Sequence, residues 1–344
     1  MKRILVVNPN WLGDVVMTTP VFRALKKKFP EAHIACLAVP RVRGILESCP
    51  DVDEIIDYDE NGRHKGILGH WSLIRELRRR AFDTAFLLHR SRTRAFLVFL
   101  SGIPSRIGYD TKKLGILLTE KVSPLQGPVV HKADYYFHVL EAVGIEEDRR
   151  VTVLKHELRA LEAIERRLSA FGIRKSDKLV VFHVGANWEF KKWPAERFVE
   201  LARLIRGVDG VHVLVSGGGK DRGAADLIQR EVPGLHSLAG EMTLKELIAL
   251  LYRADVLVSA DSGPMHIASS VGTNVVALFG PTRPEDSGPR GWGENVILRE
   301  NVDCCQGECY AVDCPDHRCM MAITAARVLD AVNGLLERSK KGQA

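Results

Sequence analysis

The sequence predicts an α/β protein made of two Rossmann-like, doubly wound domains that face each other across a cleft. Short and almost wholly apolar runs alternate with amphipathic stretches along the chain. This alternation is typical of parallel strands covered on both faces by helices. The length of 344 residues fits about two domains. A charged helix ends near Gly172 and a new apolar run begins at Leu179, so we place the domains at residues 1–172 and 173–344.

The elements follow in order from the apolar periodicity. The predicted strands of the first domain are residues 4–7, 33–38, 54–58 and 84–88, with a helix over 15–29 and a charged helix over 157–168. The predicted strands of the second domain are residues 179–184, 211–216, 256–259 and 275–279, with helices over 195–206, 221–231 and 244–252. Thr243 is the expected N-cap of the last of these helices, because Glu246 follows at the capping-box spacing.

The composition excludes several classes of protein. With 46% hydrophobic and 27% charged residues, the chain is neither disordered nor fibrous. No apolar run approaches the roughly 18 residues of a membrane span. The start MKRILVVNPNW has only a short apolar stretch, unlike a signal peptide, so we expect a cytoplasmic location.

The positive charge is concentrated in the first half. Residues 1–172 carry 28 Lys and Arg against 21 Asp and Glu, a net charge of +7, whereas the remainder carries −1. A basic half suggests an anionic partner such as phosphate, an acidic glycolipid or nucleic acid, and solvated helix faces are the alternative. Aromatic residues, 7% of the chain, are not interleaved with the basic ones, which disfavours nucleic acid.

The loop after the first strand reads NPNWLGD and leads into a helix. Gly13 allows a ligand to approach the backbone closely, and Asp14 then stands at a helix N-terminus, where ligands of doubly wound sheets bind. Asp14 is a candidate base or a plain helix cap, and both interpretations remain open. The loop lacks the G-x-G-x-x-G pattern of dinucleotide-binding proteins.

Two loops of the second half have the chemistry of a phosphate site. In GANWEFKKWP, a lysine at the carboxyl end of a strand can neutralise a phosphate, or the two lysines form a solvated pair. In SADSGPMH, the turn offers free backbone N–H groups to a phosphate. Asp261 then binds a ribose hydroxyl or caps the helix, and His266 reaches a phosphate or is packed in the helix.

Two kinds of candidate metal site are present in the sequence. The pairs Asp51/Asp53 and Asp57/Asp59 have the D-x-D spacing, but no glycine-rich loop accompanies them, so we expect a solvated edge and catalysis without metal. A cysteine-rich segment spans residues 304–319, with Cys304, Cys309, Cys314 and Cys319 as candidate ligands of a structural metal. The alternative for this segment is reduced thiols that pack in the C-terminal region.

Six sequence blocks together resemble the lipopolysaccharide heptosyltransferase family, and more narrowly its type II members. The blocks are NWLGDVVMTTP, KKWP, SGGGKD, LAGEMTL, SADSGPMHIASSVG and ALFGPTRP, in this order over essentially the whole chain. The resemblance implies the GT-B architecture and an inverting transfer of L-glycero-D-manno-heptose from ADP-heptose to the lipopolysaccharide inner core. It also implies an acceptor-binding first domain and a donor-binding second domain.

The resemblance also assigns roles to individual residues. It implies that Asp14 is the general base and that Lys191, rather than Lys192, contacts the donor phosphates. The expected donor-binding residues are Gly13, Asn187, Met242, Asp261, Ser262, Gly263 and His266. Some members have hydroxyl residues before the lysine where this chain has Gly185-Ala186-Asn187, which puts those donor contacts in question. For the anionic acceptor we expect contacts from Arg90, Arg92, Arg94 and Arg106, although Arg106 has the alternative of bracing the sheet edge.

Other functions remain as alternatives. One is another GT-B nucleotide-sugar transferase, such as a heptosyltransferase of type I or III, and another is a nucleotide-sugar epimerase. A non-catalytic nucleotide or nucleic-acid binder is the third. The expected partners are therefore ADP-heptose and the anionic lipopolysaccharide core at the cytoplasmic face of the inner membrane, with no nucleic acid and no cofactor required for catalysis.

Overall fold

The computed structural model describes residues 1–111, 115–125, 127, 129–208, 210–304, 309, 314 and 316–338. The chain divides into two compact units, Met1–Leu154 and Lys155–Ala344. Both are parallel α/β units, as the sequence predicts.

The first unit contains a six-stranded sheet. Its strands are Arg3–Val7 (β1), His33–Ala38 (β2), Glu54–Asp57 (β3), Thr84–Leu87 (β4), Ser105–Tyr109 (β5) and Glu120–Val122 (β6). Its helices are Leu12–Met17 (α1), Thr19–Lys28 (α2), Arg43–Glu47 (α3), Gly66–Arg80 (α4), Arg92–Leu100 (α5) and Lys132–Glu141 (α6).

The second unit contains another six-stranded sheet. Its helices and strands include Leu158–Ala170 (α7), Lys178–His183 (β7), Ala195–Ile205 (α8), Val211–Ser216 (β8), Arg222–Glu231 (α9), His236–Ser237 (β9), Leu244–Arg253 (α10) and Val256–Ala260 (β10). They continue with Gly263–Ser270 (α11), Asn274–Phe279 (β11), Pro284–Ser287 (α12), Asn295–Arg299 (β12), Arg318–Met321 (α13) and Ala325–Arg338 (α14).

Both sheets have the strand order of a Rossmann fold. The first is β3-β2-β1-β4-β5-β6 and the second is β12-β11-β10-β7-β8-β9, with every pairing parallel. The order reverses between β1 and β4 in the first sheet and between β7 and β10 in the second. Ligands of such sheets bind beyond the carboxyl ends of the strands at these switch points.

Apolar burial explains the composition of the central strands. In each unit the central strands are almost wholly buried, and helices cover them on both faces. One core cluster joins the first sheet to α4 and α5, and another joins the second sheet to α8 and α14.

The structural division falls on the other side of α7 from the boundary that the sequence predicts at residue 172. The buried stripe Ala160, Ile164 and Leu168 of α7 belongs to the second unit, where α7 packs against α10. Arg253 of α10 also pairs with Glu165, with 3.3 Å between Nε and Oε1. An amphipathic pattern shows that a helix covers a core but not which core it covers.

The predicted helix 15–29 is two helices, α1 and α2, which meet at Thr18. Pro20 has no N–H to donate to the carbonyl of Val16, and the hydroxyl of Thr19 takes its place at 2.8 Å. The hydroxyl of Thr18 donates to the carbonyl of Val15 at 2.7 Å. The TTP run therefore ends one helix and begins the next.

Candidate functional site

The loops at the two switch points carry most of the residues that the sequence selects. In the first unit, the chain leaves β1 at Asn8 and enters α1 at Leu12, so Asp14 lies in the first turn of that helix. In the second unit, Lys191 follows β7 and Asp261 follows β10. The strand order thus brings Lys191 and Asp261 to the same place although 70 residues separate them.

An ion pair spans the second switch point. Nζ of Lys191 lies 2.6 Å from Oδ2 of Asp261, and both side chains are largely buried. The hydroxyl of Thr282 donates to the same carboxylate oxygen at 2.8 Å. The ammonium also lies 5.0 Å from the ring centroid of Trp188. Lys191 is therefore a fixed cation rather than a freely solvated one.

The carboxylate of Asp261 does not cap α11. It is used by Lys191 and Thr282, whereas the N-cap position of α11 is Ser262, whose side chain makes no capping bond. The hydroxyl of Ser262 lies 2.9 Å from that of Ser259. Gly263 is the first residue of α11, so the N-terminal amides of this helix lie beside the Lys191 ion pair. This combination of a cation and helix N–H groups is suited to a phosphate.

Lys192 has a different environment. Its Nζ lies 3.1 Å from Oδ1 of Asp221 and 2.8 Å from Oε2 of Glu189. Partial burial opposes the charge of Lys192, but the hydrogen bonds to Glu189 and Asp221 outweigh it and raise the pKa of Lys192. Asp221 in turn accepts from the backbone N–H of Gly218 at 2.9 Å. The structure therefore gives Lys192 a supporting contact at the base of the loop.

The backbone at Gly185 has no room for a side chain. A Cβ there would lie 2.3 Å from Oδ2 of Asp221 and 3.1 Å from Nε2 of His183. His183 is buried, which lowers its pKa to about 4. Glycine at this position lets β7 turn directly into the Lys191 loop.

The remaining donor-site candidates lie around the same edge. Asn187 is exposed, and its carbonyl accepts from Nζ of Lys220 at 3.4 Å. Met242 is half-buried in the turn before α10. His266 is 3% exposed in α11, which agrees with the packed-helix alternative.

In the first unit, Asp14 is a buried carboxylate with two neighbours from α6. Nζ of Lys132 lies 3.4 Å from Oδ1 of Asp14. Burial raises the pKa of Tyr136, and the negative charge of Asp14 raises it further, so Tyr136 stays protonated as a hydrogen-bond donor to that carboxylate. Neither neighbour is predicted from the sequence. The feature that could have indicated them is the position of α6, which follows β6 and so begins at the edge of the sheet where Asp14 also lies.

The candidate acceptor contacts divide into exposed and structural residues. Arg90 and Arg92 are exposed after β4, and Arg90 lies over the rings of Tyr109 and Tyr135. Arg106 donates to the carbonyls of Leu117, Ile103 and Pro104, which is the bracing alternative.

Arg94 is 1% exposed, so the expectation that it contacts the acceptor directly does not fit the structure. Its Nη1 donates to the carbonyl of Asn8 at 2.9 Å, and its guanidinium lies 5.0 Å from the ring centroid of Tyr58. Arg94 is the third residue of α5, and this helix buries it together with Ala95, Leu97 and Val98.

The D-x-D carboxylates are engaged by the protein itself. Asp53 pairs with Lys26 at 2.7 Å and Asp57 pairs with Arg43 at 2.8 Å. Asp59 accepts from the backbone of Gly62 and Arg63. These carboxylates serve as local structural contacts at the edge of the first sheet.

In the cysteine-rich segment, Cys304, Cys309, Cys314 and Cys319 are free thiols, and Cys305 lies outside the described residues. Cys319 is buried in the core cluster of the second unit, and burial raises the pKa of its thiol. A Cβ at Gly280 would lie 3.0 Å from its Sγ. Within the described ranges, no group of three or more His, Cys, Asp or Glu residues is arranged to hold a metal ion.

The two sheets and their switch-point loops define a protein of the GT-B architecture, which confirms the predicted fold class. The chain belongs to glycosyltransferase family 9 (heptosyltransferase), which matches residues 70–314. The resemblance inferred from the sequence blocks is thereby confirmed, and the protein is a glycosyltransferase.

Similar proteins span nearly the whole chain. Lipopolysaccharide heptosyltransferase 2 of Salmonella typhimurium is 29% identical, over 97% of this chain and 98% of the relative. The Escherichia coli K12 protein of the same name is 28% identical over the same shares. A family 9 glycosyl transferase from Veillonella parvula has a TM-score of 0.85 at 27% identity, over 98% of both chains. E. coli ADP-heptose lps heptosyltransferase II has a TM-score of 0.80 at 25% identity, over 98% of this chain and 99% of that one.

Proposed function

We propose that this protein transfers L-glycero-D-manno-heptose from ADP-heptose to the inner core of lipopolysaccharide, with inversion at the anomeric carbon. The observation that carries the proposal is that each unit holds a charged side chain at its own switch point. Asp14 occupies the first and Lys191 the second. The names of the relatives, lipopolysaccharide heptosyltransferase 2 and ADP-heptose lps heptosyltransferase II, supply the sugar and the acceptor.

Asp14 is the proposed general base. A transfer with inversion needs one group to take the proton of the attacking hydroxyl, and a carboxylate held near that hydroxyl does this directly. Lys132 and Tyr136 are positioning residues, since both contact the carboxylate from α6. The acceptor would enter at this edge of the first unit, near Arg90 and Arg92.

The second unit is the proposed donor site. Lys191 and the N-terminal amides of α11 would stabilise the negative charge of the departing ADP. The ion pair with Asp261 positions the ammonium before the donor arrives. Asn187, Met242 and Ser262, all in the second unit, complete the proposed contacts with the donor. The chemistry needs no metal ion.

The acceptor is anchored in a bilayer, so we propose that the protein works in the cytoplasm as a peripheral protein of the inner membrane. Among the described residues, no helix is long and apolar enough to cross a membrane. The first unit, which is the proposed acceptor side, carries 24 Lys and Arg against 18 Asp and Glu. This charge suits a phosphorylated acceptor.

The test is mass spectrometry of the purified protein incubated with ADP-heptose and with core acceptors that carry no, one or two heptoses. A type II enzyme should add one heptose to the acceptor that carries one, and chelation with EDTA should leave the rate unchanged. Extension of the other acceptors would assign type I or type III instead. A donor inverted at one carbon, which leaves its mass unchanged and is read by NMR, with no change in any acceptor would identify an epimerase. The anomeric configuration of the product, read by NMR, tests inversion.

A further inference from the structure

Two neighbouring helices of the first unit expose an unusual set of side chains. The outward side of α4 and α5, here called the apolar–basic face, is formed by five large apolar residues and four arginines. They are Ile67, Leu68, Trp71, Phe96 and Phe99, with Arg75, Arg78, Arg79 and Arg92.

The two helices present this face on one side of the sheet. Leu73 and Leu77 of α4 and Leu97 and Val98 of α5 belong to the same buried core cluster, so both helices turn their other sides outward. Arg78 joins them, because its Nε and Nη2 donate to the carbonyl of Leu100 at 3.1 and 2.7 Å. The exposed residues of the two helices therefore lie on the same side of the unit.

The apolar part of the face is too exposed to serve folding. Ile67 and Leu68 are 87% and 86% exposed, and Trp71 and Phe96 are each 49% exposed. Scattered single apolar residues are normal on a surface, but a contiguous group marks an interaction site. Aliphatic and aromatic side chains beside arginines are the composition of a helix that lies in a membrane interface.

The charges of the face are available to an anionic surface. In the part of the chain that the structure describes, Arg75, Arg79 and Arg92 make no ion pair. Arg78 lies with its guanidinium carbon 5.6 Å from the ring centroid of Trp71. The nearest acid of α4, Glu76, is neutralised by Arg80, whose Nη2 lies 3.2 Å from Oε1. The face is therefore positively charged.

We propose that the apolar–basic face docks the protein reversibly on an anionic lipid bilayer. Ile67, Leu68 and Trp71 would enter the boundary between headgroups and acyl chains, while the arginines contact lipid phosphates. Ile67 and Leu68 lie in the first turn of α4, which follows the carboxyl end of β3. This is the edge of the first sheet at which Asp14 also stands, so the docked face lies next to the proposed entry of a lipid-anchored acceptor.

The test is flotation of the intact protein with vesicles of phosphatidylethanolamine and phosphatidylglycerol, and with vesicles of phosphatidylcholine alone. The wild type should float with the anionic vesicles and much less with the neutral ones. Ile67→Ser/Leu68→Ser should weaken the partition at least about tenfold, since two exposed apolar side chains no longer insert. Arg75→Gln/Arg79→Gln should weaken it by roughly fivefold for each arginine, and only on anionic vesicles.

Matched controls come from the second unit. Leu204→Ser/Val208→Ser removes two exposed apolar residues and Arg230→Gln removes an exposed arginine, and neither should change the partition. An unbound wild type, or equal binding by all variants, would overturn the proposal. Self-association in sedimentation that Ile67→Ser/Leu68→Ser abolishes, with no vesicle binding, would overturn it too and make the face a contact between copies.

The purpose of docking rests on the proposed function, because only a membrane-anchored acceptor requires it. The vesicles contain neither ADP-heptose nor lipopolysaccharide, however. The result of the flotation experiment therefore does not depend on whether the protein transfers heptose. As a further check, transfer to a delipidated core acceptor should be the same for the wild type and Ile67→Ser/Leu68→Ser.

Discussion

Buried polar side chains surround the loop that carries Asp14. Arg94 holds the carbonyl of Asn8, the first residue of that loop, from within the core. The side-chain amide of Asn8 is itself fully buried, and the described residues give it no hydrogen-bond partner. Burial, together with the positive charge of Arg94, lowers the pKa of His89 to about 4. Polar burial of this kind costs free energy, and proteins retain it where a site must be held in place.

The first prediction concerns Asp14. Asp14→Asn keeps the volume of the side chain but cannot accept the proton, so the transfer rate should fall by about 10²- to 10⁴-fold. Binding of ADP should be nearly unchanged, because the proposed donor loops belong to the other unit. Kinetics of the acceptor reaction and calorimetric titration with ADP measure the two effects. Loss of ADP affinity together with activity would show that Asp14 is not the base.

Lys191 should behave differently. Lys191→Ala removes the cation of the second switch point and leaves Asp261 without its ion pair, so ADP-heptose binding and turnover should both fall, each by about tenfold or more. Lys175→Ala is the matched control, since this exposed lysine precedes β7 at the opposite edge of the same sheet. Equal effects of the two substitutions would contradict a specific contact between Lys191 and the donor.

His183 makes the stability of the second unit depend on pH. Burial lowers its pKa to about 4, so in the folded state it stays neutral while the unfolded chain binds a proton below its ordinary pKa. The free energy of unfolding is therefore highest above about pH 6.5. It falls by about 3 kcal/mol as the pH falls towards 4. Denaturant unfolding at several pH values should show this loss in the wild type and a smaller one in His183→Gln.

At the scale of elements, the sequence predicts eight strands and misses β5, β6, β9 and β12. The predicted strands 33–38 and 211–216 coincide with β2 and β8, because each strand lies between two others and consists mainly of apolar residues. The short edge strands β6 and β9 escape prediction, since Glu120 and Lys121 face solvent and β9 has only two residues. Their pairing comes from neighbouring strands rather than from their own composition.

The same difference holds for the site. Strand ends and glycine-containing loops are local signals, and they lead to Asp14, to the pair Lys191 and Lys192, and to Asp261. Lys132 reaches Asp14 from a helix more than a hundred residues further along the chain, and no local pattern records that contact. Arg94 looks like an exposed arginine in sequence and is buried in the structure, because only the packing of α5 decides which side faces inward.

The N-cap of α10 and its capping box are predicted correctly from the sequence. The hydroxyl of Thr243 accepts from the backbone N–H of Glu246 at 3.3 Å, and the Glu246 carboxylate accepts from the N–H of Thr243 at 2.8 Å. Thr243→Ala should therefore lower the free energy of unfolding by about 1 kcal/mol. Thr243→Ser keeps the hydroxyl and should cost much less. Equal losses in denaturant unfolding would show that the cap does not stabilise the helix.

At the scale of the whole molecule, the net charge differs between the two structural units. The first unit carries all of the excess positive charge, +6, and the second unit is neutral. The two units nevertheless share one strand order, so the fold does not explain the difference. The proposed acceptor, an anionic molecule bound by the first unit, would explain it.

This division predicts how salt affects the two substrates. Raising the ionic strength from about 0.01 to 0.15 M shortens the screening length from about 30 to 8 Å. The KM for a phosphorylated, delipidated acceptor should then rise several-fold, since many separated charges of the first unit attract it. The KM for ADP-heptose should rise less, because its proposed contacts with Lys191 are short and partly buried. A dephosphorylated acceptor is the control and should lose most of the salt dependence. Equal slopes for donor and acceptor, measured by initial rates over the same salt series, would mean that the basic character of the first unit serves neither acceptor binding nor its orientation.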